Sequence, residues 1–290
     1  MPRQNCVNAS LTANGIQVAN TTATGINSTV LTNGQLLIGS TGAAPVAAAP
    51  VAGSGITITP AAGTFTVSAS PTVISANIVV YAANATYTPP ANLLYAIVEC
   101  VGGGAAGGGA ATTTGISVGA GGSGGSYTRS VFAYASLTPN VAITIGSGGT
   151  GVSGANGNAG GSTTFGALVT APGGSGGGLA TSTTGATGVN GASPGSAPTG
   201  TVVFSSRGQS GETAFGIGTG TLWGQSGRGG QSLIGPSSGG AVFTNGTGTA
   251  TGGNGVDPGS GGGGSVVQNS TAVVGGDGVA GYVVITELLS

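Results

Sequence analysis

The order of apolar and polar positions changes character along the chain. Gln35 to Gly39 is a short apolar run, and two arms follow in which the positions alternate with period two. These arms, Gly55-Ile-Thr-Ile-Thr59 and Thr64-Phe-Thr-Val-Ser68, are joined by Pro60-Ala-Ala-Gly63. Alternation on both sides of a glycine-containing turn predicts a β-hairpin. Between the run and the hairpin, Ala44 to Pro50 brackets alanines with Pro45 and Pro50, which predicts a polyproline-like stretch rather than a helix. Further strands are predicted at Ile78 to Tyr81, Tyr87 to Pro90, Leu93 to Val101, Tyr127 to Phe132, Val141 to Ile145, Thr163 to Thr170, Val202 to Phe204 and Gly281 to Thr286. In Leu93 to Val101 one face carries Leu94, Ala96, Val98 and Cys100 and the other Tyr95, Ile97, Glu99 and Val101. Both faces are largely apolar, so this strand is expected to be covered on both sides. No segment carries a sustained helical stripe, and a chain so rich in Gly, Thr, Ser and Asn has poor helix propensity. The fold class read from this pattern is all-β.

Glycine density adds an internal boundary. Only eight of the 65 glycines fall in residues 1–100, whereas nearly one residue in three is glycine after Val101. Residues 1–80 read as an extended β stalk and oligomerisation region, and residues 81–290 as a glycine-rich head. A lone hairpin buries little and is marginal in water. The stalk is therefore expected to need partner chains, and a homotrimer intertwined around one apolar axis is the simplest arrangement.

Seven glycine runs lie beside the strands, among them residues 102–109, 119–125, 172–178 and 259–264. A single run of this kind reads as a flexible linker. Seven of them, each next to a β segment or turn, read better as extended polyglycine-II-like helices packed side by side. Such a helix has three residues per turn, and without side chains its neighbours approach closely enough to pair N–H with C=O. In Gly121 to Ser126 the repeat Gly-Gly-Ser leaves two positions per turn bare and is expected to point the third outward. A collagen triple helix is excluded because the Gly-X-Y period is not kept.

Charge narrows the chemistry. The 290 residues include four arginines, no lysine, no histidine and five acids, for a net charge of -1. Without Lys or His there is no P-loop lysine, Schiff base, Ser–His or Cys–His pair, or His-ligated zinc. No basic surface exists for a phosphate backbone, which argues against nucleic-acid binding. No apolar stretch reaches the roughly 20 residues of a membrane span, and no Sec signal is visible. Cys6 and Cys100 make no disulfide framework, and Cys100 reads as a buried free thiol. The hydropathy is positive and 38% of the residues are hydrophobic, which describes a chain that collapses rather than one that stays disordered.

From Asn84-Ala-Thr-Tyr-Thr-Pro-Pro through Leu93 to Gly104 the chain resembles the glycine-rich domain of bacteriophage tail fibre proteins. The similarity continues at Gly121 to Tyr127, Val141 to Gly149 and Gly160 to Gly166, and closes at Gly276 to Thr286, covering roughly residues 84–290. Upstream, Leu36 to Gly42 and Gly53 to Ile58 are similar to phage-fibre stalk segments. The resemblance implies a trimeric fibre or adhesin of the virion, assembled in the host cytoplasm and extracellular when it acts. It also implies contact with other virion tail proteins, and a host surface polysaccharide or outer-membrane protein as receptor. Related adhesins present variable loops from a polyglycine-II sandwich. Here the chain begins almost directly with stalk-like sequence, so a tip, a short fibre and a structural filament subunit all remain open.

Thr181 to Thr201, Ser205 to Ile234 and Ala241 to Gly252 are least explained by a scaffold. Arg207, Phe215, Trp223 and Arg228 lie in the second of these and are the candidate receptor-binding residues, since aromatic and Arg groups in loops on a rigid support suit such a role. The alternative is that Phe215 and Trp223 are core residues and the arginines pair with Glu212 or Asp257. No cofactor, metal or catalytic residue is expected. The dinucleotide-like Gly119-x-Gly121-x-x-Gly124 lacks a βαβ context. The elbow-like Gly121-x-Ser123-x-Gly125 lacks a histidine. Gly252-Gly-Asn-Gly-Val-Asp257 occurs once, where calcium-binding repeats act in tandem. Glu212, Asp257 and Asp277 are the only loop carboxylates available for glycoside hydrolysis.

Overall fold

The computed structural model of the protein describes residues 15–19, 26–69, 75–219, 223–235, 239–240 and 242–290, so Cys6 lies outside the described residues. The chain forms two compact units, residues 1–72 and residues 73–290. The architecture is all-β.

The first unit is a series of antiparallel hairpins: β1 (Ile16–Ala19) with β2 (Ile26–Thr29), β3 (Leu36–Ser40) with β4 (Ala43–Ala48), and β5 (Ile56–Ala61) with β6 (Thr64–Ala69). The predicted β5–β6 hairpin is present. Its turn is only Ala62-Gly63, because Pro60 pairs with Phe65 and Ala61 with Thr64, and Gly63 supplies the left-handed conformation at φ 71°. Ala44 to Pro50 differs from the polyproline expectation, since most of it belongs to β4 and pairs with β3. Pro45 is tolerated because the register slips between Ile38 and Ser40, placing it at a bulge. One face of β5–β6 is apolar (Ile56, Ile58, Phe65, Val67) and the other is threonine-rich. No described residue of this unit is buried.

The second unit holds two sandwiches. In the first, a five-stranded sheet is ordered β18 (Phe204–Ser206), β11 (Tyr127–Ala133), β9 (Leu93–Val101), β24 (Tyr282–Leu289), β7 (Ser75–Tyr81). It faces a second five-stranded sheet ordered β17 (Thr199–Gly200), β14 (Val169–Ala171), β13 (Thr163–Phe165), β12 (Val141–Thr144), β8 (Ala85–Tyr87). Ala96, Val98, Cys100, Phe132, Val283 and Ile285 of one sheet pack against Tyr87, Ile143, Phe165 and Val169 of the other. β7 pairs along its whole length with the C-terminal β24 and so belongs to this unit, which places the division between units ahead of residue 80. The predicted strand from Thr163 to Thr170 is a hairpin, broken where Gly166 turns at φ 53°. β9 is covered on one face along most of its length: Ala96, Val98 and Cys100 are fully buried and Tyr95 on the opposite face is 50% exposed, although Val101, at the glycine-rich end of that opposite face, is buried as well. Its apolar outer residues are matched by neighbours in its own sheet, not by a second layer.

Two polar groups are fixed in this sandwich. Glu287, 5% exposed on the inner side of β24, accepts hydrogen bonds from Tyr87 Oη (2.9 Å) and Asn77 Nδ2 (2.8 Å). Burial, and then the bond to Glu287, push the Tyr87 phenol well above its ordinary value. Cys100 is a free buried thiol, as its place in the strand pattern implies, and burial pushes it up to about 12.

The second sandwich escapes the strand pattern of the sequence. A four-stranded sheet ordered β15 (Leu179–Ser182), β10 (Ala110–Gly119), β23 (Val266–Val273), β22 (Gly248–Ala250) packs against one ordered β16 (Ala186–Val189), β19 (Ala214–Ile217), β20 (Trp223–Gln225), β21 (Phe243–Asn245). Ile116, Val118, Ala214 and Val266 form its core.

Glycine-rich segments carry the chain from one sandwich to the other, at residues 102–109, 120–126, 172–178, 190–198, 207–213 and 274–281. Their hydrogen bonds have a period of three. The N–H groups of Gly102, Ala105 and Gly108 donate to the carbonyls of Ser126, Ser123 and Ala120. Those of Gly103, Ala106 and Gly109 donate to Gly161, Asn158 and Ala155, and those of Gly104 and Gly107 to Val279 and Gly276. Every third amide therefore turns to the same antiparallel neighbour. Residues 119–126 repeat the scheme: Gly119, Gly122 and Gly125 donate to Ser265, Gly262 and Gly259, while Ala120, Ser123 and Ser126 donate to Gly178, Ser175 and Pro172. Each net hydrogen bond contributes about 0.5–1.5 kcal/mol, enough to offset the roughly 0.5–1 kcal/mol that an ordered glycine costs relative to alanine.

The serines of Gly121 to Ser126 do not point to solvent. Ser123 and Ser126 are fully buried, because strands of the lattice surround this segment on all sides. Ser123 Oγ accepts the Ser175 N–H (2.7 Å) and Ser126 Oγ donates to the Ser196 carbonyl (3.0 Å), so these hydroxyls tie adjacent segments together.

Candidate functional site

The segments Thr181 to Thr201, Ser205 to Ile234 and Ala241 to Gly252, expected as loops, contain β16, β19, β20 and β21. The sequence of β19 and β20 is an inverted alternation: Phe215-Gly-Ile217 and Trp223-Gly-Gln225 set glycine at the inward position between two larger outward residues. Gly216 and Gly224 face the β10–β23 sheet, where a β-carbon on Gly216 would stand 2.7 Å from Ile116 Cδ1. The sheets approach this closely only because those side chains are missing, and the large residues are left on the outer face.

That outer face has two rows of cross-strand partners. Gly188, Phe215 and Gln225 form one, and Ala186, Ile217, Trp223 and Asn245 the other. Phe215 is 45% exposed and its ring centroid lies 6.1 Å from that of Trp223, tilted by 53°. The ring also lies over Gly188, its Cδ2 being 3.6 Å from where a β-carbon would stand. Phe215 is thus a surface residue held from two sides, and the aromatic pair is flanked by the neutral amides of Gln225 and Asn245.

Arg207 and Arg228 are exposed and sit on glycine-rich segments instead of the sheet. These segments are adjacent, since the Gln209 N–H donates to the Gln231 carbonyl and the Glu212 N–H to the Arg228 carbonyl, both at 2.8 Å. Arg228 follows β20 closely and lies across from Glu212, toward the aromatic end. Arg207 leaves β18 at the far end of the crossing segment, at most roughly 25 Å from Phe215 at about 3 Å per extended residue. It lines a shallow cavity of about 180 Å³ with Ser206, Gln209, Gln231, Ser232 and Leu233. The four candidate residues therefore do not form one cluster: Phe215 and Trp223 are in contact, whereas Arg228 and Arg207 lie on the adjacent crossing segments. Ile217, Gln225 and Asn245 complete the aromatic face, and nothing in the sequence marks them, because strands this short with glycine between their larger residues read as loops.

One of the loop carboxylates, Asp277, is tied into the scaffold. Asp277 Oδ1 accepts the Gly151 N–H (2.6 Å), and the Asp277 N–H donates to Asn254 Oδ1 (2.8 Å). Among the described residues no helix is long and apolar enough to cross a membrane, and no group of three or more His, Cys, Asp or Glu side chains is placed to hold a metal ion.

A chain in which close backbone contact dictates so many glycines carries a record of that constraint in its sequence. Residues 79–287 match a family described as a glycine-rich domain. No curated protein matches the chain. The match runs from within β7 to within β24 and takes in more than half of the residues, so the chain belongs to the glycine-rich domain family.

Proposed function

We propose that this protein is a bacteriophage tail fibre or adhesin that binds a host surface receptor without catalysis. The observation that carries the reading is the Phe215–Trp223 pair, Phe215 exposed and Trp223 half-buried, on a sheet whose back is clamped against a second sheet. Six Phe and one Trp are all that 290 residues contain, and leaving two of these rings at the surface sacrifices core material. Rigid aromatic groups exposed on a scaffold are recurrent binding anchors. Arg228, and separately Arg207, supply hydrogen-bond donors for a surface polysaccharide or an outer-membrane protein.

The first unit is the stalk and joins three copies. Its hairpins bury no described residue and expose Leu36, Ile38, Val46, Phe65 and Val67, so its apolar face needs other chains to cover it. The head is a lattice of polyglycine-II helices, a reading supported by the three-residue period of its hydrogen bonds. Three equal receptor sites raise avidity. The protein acts outside the cell as part of the virion, after assembly with other tail proteins in the host cytoplasm.

Soluble protein is expected to compete with virions for adsorption, and Trp223→Ala or Phe215→Ala to weaken that competition. No competition at saturating concentration overturns the receptor role. A second reading, a structural subunit of a filament, is favoured by the uncovered first unit and the 3% of charged residues, which give little protection against self-association. Open-ended filaments of this chain alone in electron micrographs would select it.

A further inference from the structure

Away from its glycine-rich end, where Val101 and Tyr127 are buried, the outer face of the five-stranded sheet in the first sandwich is largely apolar and has no covering layer. Ile78 is 65% exposed, Val80 60%, Tyr95 50%, Val131 43% and Phe204 52%. Register places Phe204, Arg129, Glu99, Val284 and Val80 in a single row across all five strands. The charges on this face are Glu99 and Arg129, which are direct cross-strand partners, and the Tyr127 hydroxyl also donates to Glu99. At one end of the row the face continues into an apolar cleft of about 370 Å³, lined by Val80, Ala82, Pro258, Val279, Ala280 and Tyr282.

We infer that this face is a contact surface between copies of the chain. The inference rests on the trimer reading above and extends it from the first unit to the second. Three observations select a second copy as the occupant. The edge strand β7, Ser75-Ala-Asn-Ile-Val-Val-Tyr81, is seven residues long with no charge and no proline. Edges left free in solution are normally blunted by such residues, so this one is built to be covered. Only residues 70–74 separate β6 from β7, a stretch that reaches at most roughly 20 Å when extended. Copies joined through their first units therefore hold their β7 strands at high effective concentration. Finally, the face is electrically balanced. Five strands about 4.8 Å apart and some seven residues long cover roughly 500 Å² per copy, or about 1,000 Å² shared by two, the lower bound for a specific interface and sufficient beside a second contact.

The test uses the full chain in a Cys6→Ser background, with Ile78→Cys on this face and Ile217→Cys on the opposite sandwich as control. Molar mass is measured by light scattering, and disulfide formation between chains is followed under mild oxidation. The expected result is a three-chain species that cross-links through position 78 but not through position 217. Ile78→Asp with Val80→Asp should shift the midpoint of dissociation to at least about tenfold higher protein concentration. A three-chain species that neither cross-links through position 78 nor responds to the double substitution overturns this contact and leaves the trimer intact. A single-chain species at all concentrations overturns both, and turns attention to a lipid or another protein as the cover. If the double substitution prevents folding, the cross-linking result decides alone.

Discussion

Gly125 faces the carbonyl of Gly102 so closely that a β-carbon on Gly125 would overlap the carbonyl oxygen. Both lie in antiparallel segments whose amides are already paired, so neither backbone has room to withdraw. Gly125→Ala is therefore expected to cost about 3 kcal/mol or more, at the upper end of overpacking penalties. Gly185→Ala, at a site with nothing within 4 Å and no positive φ, should change stability by less than about 0.5 kcal/mol. Denaturant unfolding of the two variants measures the contrast.

Amides of residues 102–109 and 119–126 are buried and hydrogen-bonded one by one. Hydrogen exchange followed by mass spectrometry should find these segments among the slowest in the chain, exchanging only with global opening. Rapid exchange there in the intact protein would mean that the glycine segments are tethers.

Glu287 holds two donors, Tyr87 Oη and Asn77 Nδ2, at the edge of the first core. Glu287→Ala strands the buried Tyr87 hydroxyl, while exposed Asn77 turns to water, and should destabilise by about 1–3 kcal/mol. Glu287→Gln keeps one acceptor and should cost about half as much. Equal losses in the two variants would show that side-chain volume, not hydrogen bonding, is what matters at this position.

Alkaline pH should unfold the protein. Burial raises Cys100 from 9.0 to about 12 and lifts Tyr81, Tyr87, Tyr127 and Tyr282 above 10.0. Below the unfolded-state values both states hold these protons and stability does not depend on them. Above those values the unfolded chain ionises first, so stability falls as pH rises, from about 9 for the thiol and about 10 for the phenols. Melting temperatures across pH 7–12 check the sign, and Cys100→Val should delay the onset toward pH 10.

The first sandwich is largely legible in the sequence because its strands are long enough to alternate and contain Val, Ile and aromatic residues, as in β9 and β24. The β5–β6 hairpin is legible for the same reason. The second sandwich is not. β19 and β20 are three or four residues long and carry glycine where a core residue normally signals the inward face, so Phe215-Gly-Ile217 reads as loop. Pro45 conceals β4 in the same way, since a bulge tolerates what a regular ladder would not. The candidate residues Phe215 and Trp223 are found for a compositional reason, scarcity, but their adjacency depends on a register that only the folded chain reveals. The burial of Ser123 and Ser126 is equally hidden, because a Gly-Gly-Ser repeat does not say how many neighbours surround it.

The three-residue period of the amides has a consequence for how such a domain can change length. Adding one residue to segment 119–126 would rotate everything after it by about 120° and hand each N–H to the wrong neighbour. Adding three would restore the phase and merely lengthen the rod. A single glycine inserted after Gly122 should thus abolish folding, while a Gly-Gly-Ser insertion there should be better tolerated, a difference that soluble yield and circular dichroism would reveal. The hydrogen-bond period of three thus makes whole triplets the unit in which these segments can change length.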